Sequence, residues 1–259
     1  MQIDSINFRK TSAFRPVNTF SHLRLSEGTS LTAVLACLDE LRQREPALRF
    51  LCTLDDLNQC CYTHMHASQD DRLYLSSADV DFDDPLAVHA YEAQQLNHVQ
   101  AQLDNPELRQ SWDEVVGTLP TGEEDVDALI SMNQTPEKLL AHDAVVYVQR
   151  VHVPRDDLAI AGLANGYFSC DWDVFQNHAV IRHLESVHGY RFFGIGASWL
   201  GFVRDQPPDA MQAQRLVNDL TALYAADDTA AVAQAWSALA YVLTERRTLL
   251  LGYTENYAE

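Results

Sequence analysis

The sequence predicts an α+β protein, on three observations. Segments with apolar residues at helical spacing carry their own caps, short alternating stretches punctuated by turn residues read as strands, and no internal repeat or low-complexity tract interrupts them. The expected arrangement is an N-terminal helix with an antiparallel meander and acidic helices over 1–142, then a C-terminal mixed sheet covered by helices over 143–259.

"IDSINF" alternates and predicts a short strand. In "GTSLTAVLACLDELRQREP", Leu31, Val34, Leu35, Leu38 and Leu41 share one helical face, with Thr29 or Ser30 as cap and Pro46 as stop. "ALRFLCTL", "QCCYTHMHAS" and "RLYLSSADVDF", separated by turn compositions, predict a three-stranded meander. From Asp84 the pattern turns helical: Pro85 sits at the first helical position, and Leu86, Ala90, Ala93, Leu96 and Leu103 lie on or near one face. Shorter helices follow through Gly117, Pro120 and Gly122.

The last third alternates strand and helix. "DAVVYVQRVHVP" is a strand, and "DVFQNHAVIRHLESVHG" a helix with Asp173 and Gln176 as a capping box and Gly189 as its stop. "YRFFGIGAS" and "WLGFVR" follow as strands, "PPDAMQAQRLVNDLTALY" and "TAAVAQAWSALAYVLTERR" as helices, and "TLLLGY" as the closing strand. The second of these helices is apolar on most faces, which predicts burial.

Charge is the most informative bulk property. The net charge is −19, from 18 basic and 37 acidic residues, and the excess is uneven: +2 over residues 1–50, −16 over 51–143 and −5 over 144–259. Such a field repels nucleic-acid phosphates and anionic lipid and speeds encounter with a basic protein. No run of about 18 apolar residues occurs and the start lacks a signal-peptide core, so neither nucleic acid nor membrane is an expected partner and the expected address is cytoplasmic. Five cysteines in a chain of 259 residues fit a reducing compartment.

The stretch from the strand through "GYFSCDWDVF", "NHAVIRHLESVHGY", "RFFGIGASWLGFVR" and the "RDQPP" step resembles the bacterial domain-of-unknown-function family numbered 4253, over about residues 143–254. That family ends in a tryptophan-rich strand with an acidic residue, where this chain has Tyr253 and Glu255. The resemblance implies a fold for the C-terminal part and no reaction.

Several constellations invite chemistry. If "QCCYTHMH" is a strand, Cys60, Tyr62, His64 and His66 share a face, and His64 with His66 could hold a metal; the adjacent cysteines point apart, and the plain reading puts Cys61 and Met65 inward and the histidines outward. His178, His183 and His188 stand five residues apart, about 140° around a helix, which predicts no convergence; His188 reads as a cation at the helix end. Cys170, ahead of a helix, could be a nucleophile with a base such as His152 supplied by the fold, against a plain reading as a buried turn cysteine. The glycines of "GIGASWLG" read as bends or close-packing positions. The acidic runs lack a calcium-loop pattern, and no cofactor is expected.

The leading expectation is therefore a binding module rather than an enzyme, one that captures a cationic protein in the manner of immunity proteins that neutralise toxins. Asp79, Asp81, Asp83, Asp84, Glu123, Glu124, Asp125 and Asp127 would form its surface. The alternative is an enzyme using Cys170, or a metal on His64 and His66; a homo-oligomer built on the apolar helix around Trp236 is the third reading.

Overall fold

A mixed seven-stranded sheet with helices around it organises the computed structural model, which describes residues 1–9, 17–140, 144–226, 229–255 and 257–258. The strands are β1 (Gln2–Ser5), β2 (Ser21–Ser26), β3 (Arg49–Thr53), β4 (Val146–Val151), β5 (Arg191–Ile195), β6 (Trp199–Val203) and β7 (Thr248–Gly252). Their order is β1-β2-β4-β3-β5-β6-β7, with β3 and β5 parallel and every other neighbouring pair antiparallel. β4 thus lies between β2 and β3, so segments from both sides of the expected boundary build one sheet; residues 141–143, where that boundary falls, lie outside the described residues.

The helices are α1 (Leu31–Arg44), α2 (Leu57–Ala67), α3 (Pro85–Asp104), α4 (Trp112–Val115), α5 (Glu123–Gln134), α6 (Val174–His188), α7 (Ala210–Tyr224) and α8 (Ala230–Thr244), with 3-10 segments at Pro136–Leu139 and Asp157–Leu163. α1 forms as its pattern dictates: the Ser30 hydroxyl accepts the Ala33 N–H, and the five expected apolar residues are buried. α6 has the expected capping box, Asp173 accepting from Gln176 N–H while the Gln176 side chain accepts from Asp173 N–H, and ends at Gly189 with φ +68°.

Alternation along the central strands assigns the faces. Leu51 pairs with Gln149 on one face, where Gly162 of the Asp157–Leu163 segment packs close to Gln149 and Val151. Cys52 pairs with Val148 on the opposite face. At the β7 edge, the Asn133 amide of α5 donates to Leu250 C=O at 2.8 Å and accepts from Leu250 N–H at 2.9 Å, covering an edge that would otherwise recruit another strand.

Three expectations are corrected. Only Arg49–Thr53 of the meander is strand: "QCCYTHMHA" belongs to α2, because Asp56 caps it and the small Cys60, Thr63 and Ala67 recur at helical spacing on its buried side, and residues 70–84 are turns and irregular backbone. α3 buries Leu96, Val99 and Leu103, while Leu86 and Ala90 at its first turns stay exposed. α8 buries one stripe, Val232, Trp236, Leu239 and Leu243, while Ala230, Ala231, Ala233, Gln234, Ser237 and Tyr241 are exposed. β2, which the sequence reading did not assign, contributes Leu23 and Leu25 to the core.

Candidate functional site

The histidines of α2 diverge. Two residues on a helix turn about 200°, so His64 and His66 leave on different sides and cannot share an ion, which removes the alternative of a metal on that pair. His64 Nδ1–H donates to Ala164 C=O at 2.7 Å, and burial lowers its pKa. His66 stacks on Tyr167 at 4.6 Å and meets the edge of Tyr62 at 4.4 Å. Cys60 is fully buried, its thiol donating to Ile195 C=O and its pKa raised by burial. Cys61 is only partly buried and Met65 is exposed, the reverse of the strand reading.

Just ahead of α2, Asp55 holds the β5–β6 turn. Its carboxylate accepts the Ala197 and Ser198 N–H groups at 2.6 and 2.9 Å, and a Cβ at Gly196 would fall 1.3 Å from its Oδ1, so glycine is required there. Burial pushes the Asp55 pKa up to about 7 against the two N–H bonds that pull it down.

Cys170 is exposed, which corrects the buried-turn reading. Its thiol lies 3.9 Å from Ser169 Oγ, and among the described residues no histidine, His152 included, is hydrogen-bonded to it.

On α6, His178 is 1% exposed and Nε2–H donates to Asp157 Oδ2 at 2.9 Å. Arg155 joins Asp157 to Asp104 through bonds of 2.7 to 3.2 Å. Burial alone would raise the Asp157 pKa, but His178 and Arg155 outweigh it and hold the carboxyl well below the usual range. His183 and His188, expected to point apart, meet: each Nε2 lies 2.8 Å from the same Asp219 Oδ2 on α7. An aspartate from a neighbouring helix stands between the two directions and both side chains bend to it, which spacing along α6 cannot show. His188, read from the sequence as a cation at the helix end, is a buried ring packed against Asp219, and burial lowers its pKa despite that carboxylate. A cleft of about 380 Å³ beside α6 is lined by Trp112, Arg155, Arg182, His183 and Glu185.

The acidic runs fare differently. Asp79, Asp81, Asp83 and Asp84 are exposed, and none forms an ion pair among the described residues. Several arginines pair with other carboxylates, as in Arg42 with Asp156, Arg72 with Asp70 and Asp173, and Arg191 with Asp205. Asp84 caps α3 by accepting the Leu86 N–H, and Asp81 accepts the Asp83 N–H, which folds the run into a defined turn. Apolar side chains stand among these carboxylates: Phe82 is 64% exposed, Leu86 54% and Tyr74 48%. The segment is tied down at Leu75, whose C=O accepts from the Tyr91 hydroxyl at 2.9 Å, and by the buried Leu73.

The second run sits on α5, which packs on α8 and β7, whereas α3 packs on the Asp157–Leu163 segment. Glu123, Glu124 and Asp127 are exposed, but Asp125 is only 7% exposed and its Oδ2 accepts the Gly122 N–H at 2.9 Å. Asp125 closes a helix N-terminus and offers no surface to a partner. The sequence reading missed the exposed Tyr74, Phe82 and Leu86 because it counted charge and assigned the apolar residues to a strand and a core face. It missed Asp219 because nothing local links that residue to α6.

Among the described residues no helix is long and apolar enough to cross a membrane. No protein-family model, no curated protein and no solved structure matches the chain.

Proposed function

We propose that the protein is a binding module that captures a basic protein through the segment from Tyr74 to Leu86, in the manner of an immunity-type inhibitor. The observation that carries this reading is the exposed Phe82 in a segment with four exposed aspartates that form no ion pair among the described residues, Tyr74 and Leu86 being exposed in the same segment. The two kinds of side chain do different work. Aspartates at a solvated rim steer a cationic surface and set the encounter rate, yet each exposed pair is worth only about 0–1 kcal/mol. An aromatic side chain seated in a pocket of the partner is worth about 2 kcal/mol or more, so Phe82 supplies affinity and the carboxylates supply rate and charge selection. Glu123, Glu124 and Asp127 add to the long-range field from α5.

The experiment is capture from the native cell extract by immobilised wild-type protein beside two variants, followed by kinetics with the purified captured protein. The expected ligand is basic and is released by raised ionic strength. Phe82→Ala speeds dissociation and costs about thirtyfold in affinity, while joint replacement of Asp79, Asp81, Asp83 and Asp84 by Asn slows association about tenfold. Association indifferent to salt, or equal capture by wild type and both variants, rules the reading out.

A further inference from the structure

We infer that His183, His188 and Asp219 form a binding site for a divalent first-row transition metal of the zinc type, joining α6 to α7. One ring nitrogen from each histidine and a carboxylate oxygen of Asp219 all lie within 4.8 Å of one another. A zinc ion needs about 2.0–2.2 Å to each nitrogen and oxygen, which puts tetrahedral ligand atoms about 3.3–3.5 Å apart. Each Nε2 now lies 2.8 Å from Asp219 Oδ2, so the carboxylate must withdraw by roughly half an ångström to admit an ion at those bond lengths. Asp219 can do so: it lies on the partly exposed side of α7, its side chain 30% accessible, which also gives the ion a route in.

The rings are held where ligands are wanted. Trp112 stacks on His183 with centroids 3.8 Å apart and planes 12° from parallel, which fixes that ring, and His188 is held by burial at the end of α6. Metal ligation uses the Nε2 lone pairs, so the proton that each Nε2 presents to Asp219 must leave that nitrogen as the ion enters. Two imidazoles and one carboxylate suit zinc, whereas calcium and magnesium take oxygen ligands and copper(I) takes soft sulfur. Three protein ligands leave a fourth tetrahedral position for water, as in zinc sites that keep an open coordination position.

The test uses the whole protein, stripped with a chelator and reloaded with zinc or cobalt(II). Wild type should take up one equivalent that survives gel filtration, show the visible d–d absorption of tetrahedral cobalt(II), and melt higher with zinc, as any ligand that binds only the folded state requires. Asp219→Asn, close to isosteric, should weaken uptake at least tenfold, and His183→Gln should do the same should the first variant fold poorly. Zinc held instead by the five cysteines would be untouched by either substitution, and its cobalt form would carry a thiolate charge-transfer band. That pattern, or no stoichiometric uptake by wild type, overturns the site.

Discussion

Two polar centres on histidine-bearing helices, one around α2 and one around α6, spend their side chains in opposite ways. Around α2 the partners are backbone atoms: Asp55 bonds to the Ala197 and Ser198 N–H groups, Cys60 to Ile195 C=O, and His64 to Ala164 C=O. Around α6 the partners are carboxylates from other elements, Asp157 for His178 and Asp219 for His183 and His188. Side chains committed to backbone hold a turn or a helix in place. Side chains facing one another keep donor atoms that another species can share. The crowded "CCYTHMH" run therefore ends as scaffold, while histidines with unpromising spacing gather at Asp219.

The contrast has a sign in pH, and the largest effect belongs to Asp55. Its folded pKa, about 7, lies above the ordinary carboxyl value of 3.8, so ionisation opposes folding. Its contribution to stability is full below about pH 4, falls as pH rises to about 7, and is flat beyond, a swing on the order of 4 kcal/mol. Asp55→Asn should remove that decline, read from urea midpoints measured across pH 4 to about 8. Asp157 runs the other way: its folded pKa is depressed, so its contribution is full above the unfolded value and is lost as pH falls below it. Acid curves of the same slope for Asp55→Asn and Asp157→Asn would erase the distinction between the centres.

Next in size is His178→Leu, which should cost about 3 kcal/mol because it leaves the Asp157 carboxylate buried with only Arg155. The double variant His178→Leu with Asp157→Asn should recover part of that loss, since removing both partners leaves no uncompensated charge. A single variant no less stable than wild type would mean that the dyad adds nothing.

Much of the fold could be read from the chain, and the exceptions share a cause. α1 and α6 were legible because cap, apolar period and stop agree within each segment, from Ser30 to Pro46 and from Asp173 to Gly189. α2 was not, because aromatic, thiol and β-branched residues imitate a strand and its capping signal, Asp56, sits inside a stretch that also reads as a turn. The candidate surface was half legible: the charges of residues 79–84 show in the sequence, but the exposure of Phe82 and the inward turn of Asp125 depend on what the neighbouring elements cover. Convergence on Asp219 was not legible, since it depends on how α6 and α7 pack.

The finest test of the comparison sits within α2 itself, in two histidines two residues apart. His64→Ala leaves the C=O of buried Ala164 without its donor, which should cost about 1–3 kcal/mol. His66→Ala removes only ring stacking at the surface, worth about 0.5 kcal/mol or less once solvent is counted, with a melting shift of about 1–2 °C. The difference is expected because a backbone acceptor loses a bond it cannot replace inside the protein, while Tyr62 and Tyr167 lose a neighbour and gain water. Thermal melts of both variants in the same buffer decide it. Equal losses would mean that the aromatic contacts around His66 carry structural weight comparable to the backbone bond, and α2 would no longer differ from α6 in the way its side chains are used.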